Sequence, residues 1–335
     1  MRLLSSFPQP RPTTNPYIVQ LHQQLSSRDD VLAAPFTWRH ALLGGFDVFH
    51  MHWPEILVDG SSPLKKAARQ LFFALLLMKI RLLRVAVVRT VHNLELPAGI
   101  SRREKFLLRF ADSTVTLRIA LSEHTQLPPG QAFLVIPHGH YRDWFAAYPQ
   151  PAAEDGRVVF FGLVRRYKSI DDLIRAFRDV GPDSGVRALR IAGQPTSEEL
   201  RAELLQLTGD DPRISTRFEF LDDAGVVDEV GRAEFVALPY REMHNSGAAL
   251  TALSLSRPVL VRDNGLNRAL RDEVGAHWVH LFDDVVGADD LEKALAAVRA
   301  DPPRGEPDLS RRDWAASATA HVEAYRRAVR LRRGS

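Results

Sequence analysis

The sequence predicts an α/β protein built from two doubly wound domains with parallel sheets. Three observations carry this. Short β-branched runs such as VAVVRTV (85–91), RVVFF (157–161) and EFVAL (234–238) alternate with segments of helical spacing, the pattern of strand–helix–strand units. The chain has 335 residues, more than one core ordinarily fills. The alternation breaks once, at YPQPAAEDG (148–156), a stretch of Pro, Ala and acid that reads as a linker, and then restarts. The expected organisation is a domain over 1–150, a second over 151–310, and a last helix over 311–335 that packs back on the first.

The elements follow in order. RLLSSF is a strand and NPYIVQLHQQL a helix; FDVFHMHW is a strand. SPLKKAARQLFFALLLMKIRLLR is a long helix with Ser62 as its cap and Pro63 at its first position. VAVVRTVHN is a strand, RREKFLLRFAD a helix, and RIALSEH and AFLVIPHGHY two more strands. In the second half RVVFFG and ALRIAG are strands, each followed by a helix, SIDDLIRAFRDV and SEELRAELLQL. RFEFL, EFVALPY, RPVLV and HWVHLF are further strands, and SRRDWAASATAHVEAYRRAVRL is the closing helix.

Composition narrows the function. Lys+Arg 44 against Asp+Glu 41 is a small positive excess, which argues against wholesale nucleic-acid binding and leaves local clusters to matter. Without cysteine there is no disulfide and no thiolate chemistry, which fits a reducing, cytoplasmic location. The opening MRLLSSFPQPRP has no apolar core of a secretory signal. The most apolar run, LFFALLLM (71–78), is far shorter than the roughly 20 residues of a bilayer span.

Two stretches of the second half suit a multiply charged anion. In GLVRRYK, Arg165, Arg166 and Lys168 arrive where a strand hands over to a helix, and cations there can meet a diphosphate. In EFVALPYREMHNSGAALTALSLSRPVLV (234–261) a strand ends at Tyr240, a polar loop carries Glu242, and Ser246-Gly247 opens an apolar helix whose free amides favour an anion.

The first half supplies the other wall of a site. In HMHWPE (50–55) the histidines share one face; His50 reads as packing and His52 as facing the cleft. Trp53 suits stacking on a ligand ring and Glu55 suits a general base. No third ligand stands at a recognisable spacing, so no metal is expected. Asn15 and Tyr17, after a Pro-rich loop, are assigned to the same wall. On the helix over 63–82, Leu64, Ala67, Leu71, Leu75, Met78 and Leu82 form one stripe, read as core. Phe73, Leu76 and Leu77 fall near Lys65, Lys66, Arg69 and Lys79, and this second face is read as a peripheral membrane contact.

As an ordered series these segments resemble the GT-B nucleotide-sugar glycosyltransferases. VVFFGLVRRYKSIDDLIRAF looks like that family's strand, diphosphate-binding cations and helix, and LRIAGQ like its next strand. PYREMHNSGAALTALSLSRPVLV looks like the segment that grips diphosphate and ribose, TVHN like the loop that sets a histidine, here His92, against the donor sugar, and VIPHGHY, with His138 and His140, like the exit from the first domain. The resemblance implies a GT-B fold with its two parallel sheets facing a central cleft, an acceptor-binding first domain and a nucleotide-sugar-binding second domain.

The pattern of many retaining members departs here. Where they carry a pair of glutamates, this chain has Met243 and Thr251. HMHWPE, PHGHY and PYR…SG are more similar to the xanthan-type exopolysaccharide β-mannosyltransferases, which implies GDP-mannose as donor, inversion to a β-linkage, a lipid-linked or glycan acceptor, and no metal or other cofactor. Glu55, His92 and Glu95 remain open as the base. Two other classes stay open at this stage, a nucleotide-sugar 2-epimerase of the same architecture and a non-catalytic subunit.

Overall fold

A computed structural model describes residues 1–11, 14–93, 96, 99–241 and 247–334. By contact the chain forms two units, one of Met1–Gly139 with Arg311–Ser335 and one of His140–Ser310.

The first unit runs β1 (Arg2–Ser5), α1 (Pro16–Ser26), β2 (Leu32–Ala34), α2 (Trp38–Leu43), β3 (Val48–Met51), α3 (Glu55–Val58), α4 (Pro63–Leu82), β4 (Ala86–Val91), α5 (Arg102–Ser113), β5 (Leu117–Ala120) and β6 (Phe133–Val135). Its six strands are all parallel, in the order β2-β1-β3-β4-β5-β6. Every residue of β3 is buried, and the strand lacks polar alternation because the sheet is covered on both faces. Leu3, Val48, Val88 and Leu117 pack on one side, with the last helix; Leu4, Phe49 and Val87 pack on the other, with α4 and α5. The register pairs Met51 with Arg89, so the residues that follow leave adjacent strands at the same carboxyl edge.

The second unit runs α6 (Arg142–Phe145), β7 (Arg157–Phe161), α7 (Ile170–Arg178), β8 (Ala188–Ala192), α8 (Glu198–Thr208), β9 (Ile214–Arg217), α9 (Asp223–Gly231), β10 (Phe235–Leu238), α10 (Gly247–Ser254), β11 (Val259–Arg262), α11 (Gly265–Val274), β12 (Val279–Phe282) and α12 (Ala288–Ala300). Its parallel sheet has the order β12-β11-β10-β7-β8-β9 over a single apolar core. The final helix α13 (Trp314–Gly334) belongs to the first unit, where it lies on α1, β3, β4 and β5.

Four readings of the sequence need adjusting. Residues 140–150, placed by sequence in the first domain, group with the second unit: the Tyr141 amide donates to Ser254 Oγ at 2.8 Å and Gln150 Nε2 to the Leu255 carbonyl at 2.6 Å. RFEFL starts where β9 ends; the strand is the more polar ISTR on the sheet edge, which carries little apolar signal. The short elements β2 and α2 went unassigned. Last, α4 starts as expected, with Ser62 Oγ accepting from the Lys65 amide, but its faces are exchanged. Phe73, Leu76, Leu77 and Ile80 are fully buried, while Leu64, Leu71, Leu75, Met78 and Leu82 are 43–81% exposed.

The helix is apolar on both sides, so periodicity alone could not choose between them. The cations near the inner face are consumed by structure. Lys79 donates to the carbonyls of Ala41 and Gly44, Lys66 pairs with Glu104 at 2.8 Å, and Arg69 donates to the Ile56 carbonyl. Among the described residues no helix is long and apolar enough to cross a membrane.

Candidate functional site

In the second unit, the carboxyl ends of β7 and β8 bring two glycines and a buried cation close together. Gly162 follows β7 with φ 100°, a left-handed backbone that favours glycine. Gly193 follows β8, and a Cβ there would collide with the Gly162 carbonyl oxygen, so the two strand ends meet backbone to backbone. The chain then reaches exposed Arg165 and a single 3-10 turn, Arg166–Lys168. Lys168 is only 9% exposed, its ammonium 5.0 Å from the ring centre of Tyr240 and 5.7 Å from that of Phe160. Among the described residues no carboxylate pairs with it. Burial, and secondarily the charge of Arg165, lowers its pKa to about 8. A cation held over aromatic faces without a counter-ion gains from an incoming anion.

Its neighbours sort into different jobs. Arg166 is engaged at the surface with Glu203, 2.7 Å away, and Arg241 pairs with Asp172. Tyr240 is buried with its hydroxyl unpartnered among the described residues, and burial pushes its pKa up; it serves as the ring under Lys168. Gly247 is the first residue of α10, and a Cβ there would come within 3.6 Å of the Tyr141 hydroxyl. Thr251 is buried on that helix. Glu242, Met243 and Ser246 lie outside the described residues, as does Glu95 in the first half.

In the first unit a cluster of rings gathers at the carboxyl edge of β3 and β4. The His92 ring stacks on Trp53, centroids 4.0 Å apart and 19° between planes, with Tyr17 edge-on at 5.3 Å. Its Nε2 lies 3.1 Å from Nδ1 of His52. His52, expected to face the cleft, is 2% exposed and its Nε2 is buried without a partner. Its ring hydrogen bond is therefore to His92 and not toward an open surface. His50 is a packing residue as expected, with Thr90 on Nε2 and the Tyr325 hydroxyl on Nδ1, both at 2.8 Å.

Burial holds His50, His52 and His92 well below the ordinary imidazole range, and His138 at about 4, so these rings are neutral at pH 7. Glu55 opens α3, half-buried. Burial raises its pKa, opposed in part by the charge of Arg89.

Other expected residues have structural duties. Asn15 caps α1, accepting from the Tyr17 amide at 2.9 Å. Tyr17 is buried between His138 (4.6 Å) and Trp314 (5.3 Å). His138 Nδ1 donates to the Gly139 carbonyl. His140 belongs to the second unit, where it accepts from the Arg142 amide at 3.4 Å. The sequence reading missed Thr90, Trp314, His321 and Tyr325. A signal was present: His321 and Tyr325 are spaced i, i+4 on the otherwise apolar stripe of the last helix. Among the described residues no group of three His, Asp or Glu is arranged to hold a metal ion.

Comparison with known proteins agrees with this layout. Residues 155–300 match the family model "Glycosyl transferases group 1". The chain is 40% identical to GDP-mannose:glycolipid 4-beta-D-mannosyltransferase of Xanthomonas campestris pv. campestris over 98% of its own length and 92% of the relative's. Among solved structures it shares the fold of a sucrose-phosphate synthase from Thermosynechococcus elongatus (TM-score 0.69, 15% identity, 98% of both chains covered). It also shares that of HepE from Anabaena in complex with UDP (TM-score 0.61, 14% identity, 100% of this chain and 98% of the other). With two parallel six-stranded sheets of GT-B type and a near-full-length relative at this identity, the chain belongs to the family of the GDP-mannose:glycolipid 4-beta-D-mannosyltransferases, within the group 1 glycosyl transferases, and is a glycosyltransferase enzyme.

Proposed function

We propose that this enzyme transfers mannose from GDP-mannose, with inversion, to a hydroxyl of a lipid-linked oligosaccharide or glycan, giving a β-linkage. The observation that carries donor and linkage is the near-full-length likeness to the Xanthomonas mannosyltransferase. In the step, the acceptor oxygen bonds to the anomeric carbon from the face opposite the phosphate. The carbon–oxygen bond to the diphosphate breaks, its electron pair leaves with GDP, and the hydroxyl proton passes to a base. Lys168 and Arg165 hold the diphosphate charge, with the start of α10 at Gly247 beside them. Glu55 is the base: a carboxylate whose pKa is lifted toward working pH accepts a proton more effectively. His92, neutral and fixed by His52, positions the donor sugar. No metal or other cofactor is required in this scheme.

The acceptor's lipid brings the enzyme to the cytoplasmic face of a membrane. The contact within residues 63–82 is the outer face of α4, Leu64, Leu71, Leu75, Met78 and Leu82. Exposed Lys65, Arg81, Arg102, Arg103 and Arg109 stand on α4 and its packed neighbour α5. The acids of these two helices are occupied: Glu104 is buried against Lys66, and Asp112 pairs with Arg89 and Arg118. An apolar face with cations and no free acid suits an anionic bilayer surface.

The test is turnover of GDP-mannose, UDP-glucose and UDP-galactose with a lipid-linked acceptor, followed by NMR of the product. Release of GDP with a β-anomeric signal is expected. Preference for a UDP sugar overturns the donor, and an α-linked product overturns inversion.

A further inference from the structure

At the amino-terminal edge of the first sheet, the end opposite His92, lies a cavity of about 330 Å³. Five cations line it, Arg2, Lys79, Arg84, Arg332 and Arg333, against one carboxylate, Asp47. Asp47 is already held by Arg2, at 3.3 Å to its guanidinium and 2.8 Å to its amide. Lys79 is fixed by the carbonyls of Ala41 and Gly44, and among the described residues no acid pairs with it. Arg84 donates to the Arg332 carbonyl, at 3.5 Å, and stands in a left-handed backbone (φ 52°) that a glycine would adopt more easily. Among the described residues no carboxylate pairs with Arg84 or Arg333. Lys79, Arg84 and Arg333, gathered around one cavity, repel one another until an anion enters.

The rim supplies a second, independent feature. Leu83 lines the cavity and is 65% exposed. Leu82 beside it is 77% exposed and Leu43, at the end of α2, 83%. Leu82 ends the outer apolar face of α4, a helix of 20 residues and so ~30 Å long. A headgroup phosphate in the cavity would therefore sit next to apolar side chains suited to its acyl chains.

We propose that this cavity binds the phosphate headgroup of an anionic phospholipid. The proposal rests on the membrane reading of α4 and adds headgroup selectivity to it. The shared chemistry is a phosphate ester, and free phosphate is the other source to be separated. Because the cavity lies at the opposite end of the strands from His92 and Glu55, its lipid is an anchor and not the acceptor.

The experiment uses the full chain in vesicle co-sedimentation, with phosphatidylcholine alone or with added phosphatidylglycerol. Two variants of equal charge loss are compared, Arg84→Ala/Arg333→Ala in the cavity and Lys65→Ala/Arg81→Ala outside it. Thermal melts confirm that both fold. The wild type is expected to prefer phosphatidylglycerol vesicles at least about tenfold. The cavity variant should lose most of that preference while still binding phosphatidylcholine, and the outer variant should keep more of it. Equal loss in both variants means bulk charge alone and overturns the site. Equal sedimentation of wild type with both vesicles overturns the site and leaves α4 standing; sedimentation with neither overturns both. Calorimetry with inorganic phosphate and glycerol 3-phosphate completes the test. Binding of either as tight as the vesicle's, lost in the cavity variant, assigns the cavity to a free phosphate and overturns the lipid.

Discussion

Nδ1 of His52 lies 3.1 Å from Nε2 of His92, and the other nitrogen of His52 is buried without a partner among the described residues. A buried N–H without an acceptor is rarer than an unpaired lone pair, so the His52 proton belongs on Nδ1. It is donated to His92 Nε2, which leaves the His92 proton on its own Nδ1. In the proposed reaction His92 thus offers a donor, and Glu55 serves as the base.

Replacing His52 tests this. Asparagine can still donate from its amide and should retain most of kcat. Leucine cannot, and should lower kcat ~5- to 100-fold, the range for a buried partner left unpaired, with the KM for donor changed less. Equal activity of His52→Asn and His52→Leu would mean the contact does not matter to the reaction.

Acid should unfold the first unit early. His138 and His321 titrate at about 4 in the folded protein because burial opposes their charge. Unfolded, they titrate at the ordinary 6.5. Between these values the unfolded chain binds more protons, so stability falls as pH falls from 6.5 to 4. Each ring should cost ~2 kcal/mol by pH 5. Calorimetric melting from pH 7.5 to 4.5 checks this; a flat Tm across that window refutes it.

Lys168 makes donor binding sensitive to alkali. Its pKa of about 8 without ligand must rise when a diphosphate is bound. Affinity for GDP should therefore decline above pH 8, by up to tenfold per pH unit. Lys168→Met should weaken GDP by ~10- to 150-fold and abolish the pH dependence. Titration calorimetry at pH 7 and 9 reads both effects, and identical constants at the two values would remove Lys168 from the site.

Gly139 has no room for a side chain, since a Cβ would strike the Trp314 indole. Gly139→Ala should displace that ring from Tyr17 and cost ~1–3 kcal/mol, the usual range for overpacking. A denaturant midpoint unchanged from wild type would show that the indole moves aside freely.

These relationships differ in how far the sequence reveals them. Ser62 and Pro63 announce the start of α4 because capping is local chemistry. The strand-to-helix turn at Gly162–Lys168 is legible for the same reason, being one continuous stretch. Which side of α4 is buried was not legible, because both sides are apolar and the decision lies with α2, α3 and α5, which pack against it. The His50–Tyr325 contact joins residues 275 positions apart. No local pattern reports such a pair, and only the return of the last helix creates it.

That return has a consequence for biosynthesis. Trp314, Val322, Tyr325 and Ala328 complete the core shared by Leu3, Val48 and Val88. Residues 140–310 emerge from the ribosome in between, a delay of about 10–35 s at 5–20 residues per second. The second unit is continuous and can close as it is made, whereas the first must wait with an open flank. A chain released before α13 would leave that flank exposed to chaperones and proteases, so stability of the first unit is conditional on translation having passed α13.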